Sequence, residues 1–183
     1  MGSNSFKENF KPTIVLLCIC LAATLALAAT HYVTQPLIDA NSEKSANEAR
    51  AMVLPEGDSF TAYDGKLVSG VDDCYIADNG KGMAVTSHAK GFGGDVTVMT
   101  GIDANGAITG VTVTDHSETP GLGTKDMTTD YLSQYKSVTE APEASISDDA
   151  NIDAVTGATV TANAIYGSVG EALAQFKSCG GVK

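Results

Sequence analysis

The sequence predicts an α+β fold, a mostly antiparallel sheet with packed helices, preceded by one transmembrane helix. Three observations predict it. Thr13–Thr30 is eighteen residues without a charge, close to the ~20 apolar residues that cross a bilayer as a helix. From Ser59 to Thr114 the apolar pattern has period two, broken by Asp64-Gly65, Asn79-Gly80 and Asn105-Gly106, dipeptides that favour short turns between strands. Ile165, Val169, Ala172, Leu173 and Phe176 then recur at helical spacing, which lines one face of a terminal helix.

Taken in order, residues 1–11 are polar, with Lys7, Glu8 and Lys11. Residues 12–33 form the anchor, and no charge falls between Lys11 and Asp39. Ala26-Leu27-Ala28 also resembles a signal-peptidase site, but the apolar core is longer than that of a cleaved signal. The reading is an uncleaved anchor with its N-terminus cytoplasmic, held there by Lys7 and Lys11, and the rest of the chain extracytoplasmic. Residues 34–57 read as a juxtamembrane stalk helix. Leu37, Ala40, Lys44, Ala51 and Leu54 mix apolar and charged faces there, and Pro55-Glu56-Gly57 closes it. Residues 58–183 are the folded domain. Its clearest hairpin joins Val96–Ile102 to Ala107–Thr114, where Thr and Val alternate along both arms. Lys90-Gly91-Phe92-Gly93-Gly94 before it reads as a connecting loop, Met127–Tyr135 as a short helix, and Ala141–Asn151 as an acidic loop.

Composition excludes several functions. The 183 residues carry a net charge of −11, and from His31 onward nine Lys/Arg face twenty-one Asp/Glu. Such a surface repels nucleic acid and anionic lipid head groups, so a nucleic-acid partner is excluded. His31, His88 and His116 share no ligand spacing, and no metal site is expected. His88 and His116 read as strand-end or surface histidines. Cys18 and Cys20 lie in the apolar run; Cys74 and Cys179 match no C-x-x-C pattern and, in a domain facing outward, could be paired or free.

Two stretches remain. In Asp153–Asn163 the centre is Thr156-Gly157-Ala158-Thr159, at or one turn before the start of the last helix. Backbone N–H groups there are unpaired and the helix dipole favours an anion. Gly157 lets the backbone approach a ligand and Ala158 adds little bulk. A phosphate near Thr159 would meet donors; the alternative is that Thr159 or Thr161 caps the helix. The second stretch is His116–Lys125, H-S-E-T-P-G-L-G-T-K. Pro120-Gly121 is a turn and Gly123 permits another. Leu122 is an apolar loop tip suited to cover something flat, with Glu118 and Thr119 as polar contacts beside it.

Asp153-x-x-Thr156-Gly157-Ala158-Thr159 together with Glu118-Thr119-Pro120-Gly121-Leu122-Gly123 resembles the covalent-FMN-binding domain family of the Rnf and Na⁺-translocating NADH:quinone reductase complexes, the Rnf G subunits in particular. Gly91-Phe92-Gly93-Gly94 leading into the hairpin and the single N-terminal anchor look like the same subunits. The family pattern commonly has Ser at the position of Thr156. The resemblance covers most of residues 35–178. It implies FMN joined by a phosphodiester to Thr159, installed by a separate flavin transferase that reads Asp153 and Thr156-Gly157-Ala158. It also implies that Glu118, Thr119, Pro120, Gly121, Leu122 and Gly123 lie near the flavin ring, and that no residue serves as a general acid or base. By the same resemblance the chain is a redox subunit of an ion-translocating ferredoxin:NAD⁺ oxidoreductase, with the other Rnf subunits and the membrane as partners. The rival readings are a stand-alone flavinylated electron shuttle and an anchored binding or structural domain whose T-G-A-T only caps a helix.

Overall fold

The computed structural model describes residues 3–121, 123–141 and 145–181, with side chains from residue 11 onward. Leu122 lies outside the described residues. Helix α1 runs unbroken from Ser3 to Val53, with Pro12 and Pro36 inside it. The sequence suggests an anchor and a separate stalk; no glycine or turn intervenes between them, and a single helix continues through both. Its apolar stretch is long and apolar enough to cross a membrane. Thr24, Thr30 and Thr34 donate their hydroxyls to the carbonyls of Cys20, Ala26 and Thr30. Those polar atoms are thus satisfied within the helix, as a lipid environment requires. Residues through Ser45 form one unit, and the second, compact unit begins at Ala46.

In the compact unit the period-two segments build a five-stranded antiparallel meander in the order β1-β2-β3-β4-β5. The strands are β1 Phe60–Ala62, β2 Val71–Ala77, β3 Gly82–Lys90, β4 Asp95–Asp103 and β5 Ile108–His116. Alternation sends each strand's side chains to two faces. Met83, Val85, Val96, Val98 and Ile102 meet the apolar stripe of helix α3, Thr159–Cys179, whose Ala162, Ile165, Val169, Ala172 and Leu173 are buried against them. The hydroxyl of Ser87 donates to the Ser168 carbonyl at 2.8 Å and fixes the helix on the sheet. Gly180, with φ +74°, ends α3 in a left-handed cap.

The opposite face is covered by the last turns of α1. Val53 packs with Ala84 and Met99, joined by Ala49 and Phe60. The Arg50 guanidinium lies 3.5 Å from the Tyr75 ring centroid, a cation–π contact. A Cβ at Gly101 would run into the Val53 carbonyl, so this close approach of helix to sheet depends on glycine. The domain core is therefore two-sided: α3 on one face, the end of α1 on the other.

The hairpin expected from Val96 to Thr114 is present as β4 and β5. Asp64-Gly65, by contrast, does not join two strands directly. Tyr63–Gly70 is a longer connection, held because Val68 N–H donates to the Oε1 of buried Gln175 at 2.7 Å. Met127–Tyr135, expected as one helix, is split. A 3₁₀ turn at Gly123–Met127 leads into the short helix α2, Thr129–Leu132, followed by a 3₁₀ turn at Ser133–Tyr135. Thr128 caps α2 by accepting from Tyr131 N–H.

Candidate functional site

Several contacts carry the chain to the N-terminus of α3. Asn163 Oδ1 accepts from Ile146 N–H at 2.9 Å and from the Ser145 hydroxyl at 3.1 Å. Gln134 Oε1 accepts from Asp153 N–H at 2.8 Å, and Ile152 is buried. Between that support and the helix the backbone turns at Gly157, with φ +90° and open space where a Cβ would stand.

Ala158 occupies the helix N-cap position, and no side chain caps the first turn. Neither Thr159 nor Thr161 is the cap that the sequence alone allowed. Thr159 is the first helical residue and is exposed, whereas Thr161 is buried. The result is an open helix N-terminus with an exposed hydroxyl on it, a place where an anion meets backbone donors.

A cleft of about 290 Å³ opens beside it, lined by Phe92, Glu118, Gly123, Gly157, Ala158, Thr159, Val160 and Thr161. Of the residues singled out in the sequence, Glu118, Gly123, Gly157, Ala158 and Thr159 come together in this cleft. Thr119, Pro120, Gly121 and Thr156 do not line it. Thr119 accepts from Gly123 N–H through its carbonyl at 3.2 Å, and Gly121 N–H donates to the Thr124 hydroxyl at 2.9 Å. These residues shape the loop rather than the wall of the cleft. Thr156 is exposed in the turn before Gly157.

Glu118 is buried, and its carboxyl does structural work. Oε1 accepts from Phe92 N–H at 2.7 Å and from Gly93 N–H at 3.0 Å. A Cβ at Gly123 would collide with its other oxygen, so Glu118 packs tightly between the G-F-G-G loop and the loop after β5. Oε1 of the residue expected to contact a ligand is thus engaged by two backbone amides, while Glu118 still lines the cleft. Behind this wall Asp126 is fully buried, and neither carboxyl oxygen has a hydrogen-bond partner among the described residues. Burial pushes its carboxyl up to about 6, with the Glu118 charge adding to the rise and Lys125 opposing it.

Phe92, Val160 and Thr161 line the cleft without having been predicted. Phe92 is 72 % exposed and Val160 51 %, unusual for large apolar side chains beside a pocket. The signal for Phe92 was in the sequence: a lone aromatic between glycines is poorly suited to a mere connection. Val160 carried no such signal, because adjacent positions on a helix do not share a face.

A family model described as "FMN-binding domain" matches residues 91–174, a span that contains every residue of the cleft. The G subunit of the Na⁺-translocating ferredoxin:NAD⁺ oxidoreductase complex of Acetobacterium woodii is 32% identical, over 94% of each chain. The chain belongs to the G-subunit family of ion-translocating ferredoxin:NAD⁺ oxidoreductase complexes. The G subunit of the proton-translocating complex of Clostridium ljungdahlii is 27% identical over 95% of each chain. The corresponding subunit of Vibrio vulnificus is 31% identical, over 91% of this chain and 87% of its own. Members of this family are subunits of a multi-subunit redox enzyme, and this chain carries an FMN-binding domain.

Proposed function

We propose that this chain is a membrane-anchored electron carrier holding FMN covalently, through a phosphodiester to the Thr159 hydroxyl, within an ion-translocating ferredoxin:NAD⁺ oxidoreductase complex. One observation carries the covalent reading: Thr159 is exposed on an uncapped helix N-terminus, at the edge of the cleft that Phe92 and Val160 line. In attachment, the Thr159 oxygen gains the phosphorus–oxygen bond and its proton leaves. A flavin transferase supplies the activated flavin nucleotide, whose own leaving group departs.

The residues present fit such a group. The first-turn amides of α3 and the helix dipole favour the anionic diester. Gly157, open where a Cβ would stand, leaves room for the phosphate to approach. Phe92 and Val160 would offer apolar surface to a ring. Glu118 holds the loop bearing Phe92 in place through two backbone amides, making it a positioning residue. Bound FMN supplies the one- and two-electron chemistry; the chain supplies attachment and orientation. Asp153 and Thr156-Gly157-Ala158 are read by the transferase. The N-terminus is cytoplasmic and the flavin domain extracytoplasmic, where a tether prevents loss of the cofactor.

The test is in-gel flavin fluorescence of the denatured full-length protein, co-expressed with a flavin transferase. Wild type is expected to fluoresce, Thr159→Ala to be dark and Thr159→Ser to retain fluorescence. A dark wild-type band, or a fluorescent Thr159→Ala band, overturns the covalent assignment.

A further inference from the structure

The 3₁₀ turn Gly123–Met127 carries a buried carboxyl that the cleft does not use. Gly123 lines the cleft, and a Cβ there would run into Glu118 Oε2. Residues three apart eclipse one another in a 3₁₀ turn, so Asp126 stands on the side of the turn that faces Glu118. Asp126 is fully buried, and both carboxyl oxygens lack a hydrogen-bond partner among the described residues. An ionised carboxylate in that state is disfavoured, and a proton on it removes the charge. The groups around it are few. Lys125 is its exposed neighbour, and Glu118 is the charge on the facing loop, where exposed His116 accepts from Glu118 N–H at 3.3 Å. α2 and the turn after it bring Tyr131 and Tyr135, whose phenols burial pushes up, so that they stay neutral. Asp130 and Asp153 are exposed. α3 also packs on the turn and carries no charged residue from Thr159 to Gly170; its Tyr166 hydroxyl donates to Asp149.

We propose that Asp126 is a proton acceptor tied to the redox state of the flavin: its carboxylate takes up a proton when a flavin on Thr159 is reduced and releases it on reoxidation. This rests on the covalent reading above. Reduction brings negative charge into a cleft where Glu118 is the one charged side chain among the described lining residues, and no cation lines it to absorb that charge. In a buried, poorly screened surrounding, such a charge raises the proton affinity of the carboxyl behind the wall. The electrons are those the complex carries. The proton leaves bulk water and forms an O–H bond on Asp126, which becomes the neutral acid. By reciprocity, a protonated Asp126 eases reduction and an ionised one opposes it. Burial holds this carboxyl up to about 6 in the absence of that added charge. Below about pH 5 it is therefore already neutral and has no proton to take up, and above about pH 6 its ionised form lowers the flavin potential.

The experiment follows the flavin midpoint potential from about pH 5 to about pH 9 by absorbance, in full-length protein in detergent co-expressed with a flavin transferase. Wild type is compared with Asp126→Asn, and with Asp126→Leu as a second neutral variant. Equal potentials near pH 5 and a lower wild-type potential by about pH 8 are expected. A tenfold gain in proton affinity on reduction separates the curves by about 30 mV for a two-electron couple. His116 and Glu118 are present in all these proteins, so their titration cancels in the difference. Asp130→Asn, which removes an exposed carboxylate from α2, is expected to follow wild type. Parallel curves over the whole range, or an equal shift in Asp130→Asn, overturn the assignment to Asp126. Infrared difference spectra supply a second readout. On reduction near pH 7 wild type is expected to gain a carboxylic-acid C=O band that Asp126→Asn lacks, and absence of that band overturns the proton uptake. Denatured-gel fluorescence of the same samples separates the two readings. A dark wild-type band overturns the covalent attachment and the redox link with it, whereas a fluorescent band with parallel potentials overturns the link alone.

Discussion

The two walls of the cleft are built on opposite principles. The loop after β5 is locked: Glu118 is buried, its carboxyl holds two amides of the facing loop, and Gly123 leaves no space beside it. The stretch before α3 is open: Gly157 has free space around it, Thr159 is exposed, and no side chain caps the helix. One wall spends Glu118 Oε1 on two backbone amides, and the other leaves the Thr159 hydroxyl and the first-turn amides uncapped by any side chain. Under the proposed function, a site that receives a large group from another protein and then holds it still needs both. On that reading the difference separates the residues that shape the loops from the one that takes the flavin, although both motifs looked alike as candidate contacts.

The sharpest way to break the comparison is Glu118→Ala. Two amides would lose a carboxylate acceptor, and each such charge-assisted bond contributes about 1.5–3 kcal/mol, so a destabilisation of roughly 3–6 kcal/mol is expected in urea unfolding. A change below about 1 kcal/mol would mean that the locked wall is not locked by Glu118.

Asp126 tests the same wall from behind. Its carboxyl is raised from the usual 3.8 to about 6 by burial first and by Glu118 second, so the folded state holds this proton more tightly than the unfolded chain. Its contribution to stability is full below about pH 4 and is lost as the pH rises through about 6. At 1.36 kcal/mol per unit, that loss is about 3 kcal/mol by pH 7. Asp126→Asn should therefore match wild type near pH 4 and be more stable above pH 7. Melting curves across that range check the sign; a variant less stable at pH 7.5 than wild type would refute it.

The sequence made some of this plain and concealed the rest, for physical reasons. Alternation of Thr and Val in Val96–Thr114 marks a sheet because neighbouring residues alone determine which face each side chain takes. The stripe Ile165–Phe176 marks α3 for the same reason. The Tyr63–Gly70 connection was hidden, because Gln175, over a hundred residues later in the chain, holds it in place. That the end of α1 would cover the second face of the sheet was also hidden. It depends on Val53 lying against Gly101, a contact no local pattern encodes. At the cleft, spacing pointed to the turn and to Thr159. The pairing of Glu118 Oε1 with the Phe92 and Gly93 amides follows from the packing of two loops distant in sequence.

The open wall predicts smaller effects on stability. Gly157→Ala meets no neighbour, yet at φ +90° the new Cβ carries a left-handed strain of about 1–2 kcal/mol. A urea midpoint shifted by that amount would show that the fold holds the turn in place; no shift would show that the turn relaxes. Thr159→Ala should change stability by no more than about 0.5 kcal/mol, since Ala158 already stands at the cap and no bond from the Thr159 hydroxyl caps the helix. The same substitution is expected to abolish covalent flavin. A pair of measurements, melting temperature and denatured-gel fluorescence, thus separates a residue kept for chemistry from one kept for the fold. If Thr159→Ala lost both together, Thr159 would belong to the locked wall, and the contrast between the two sides of the cleft would fail.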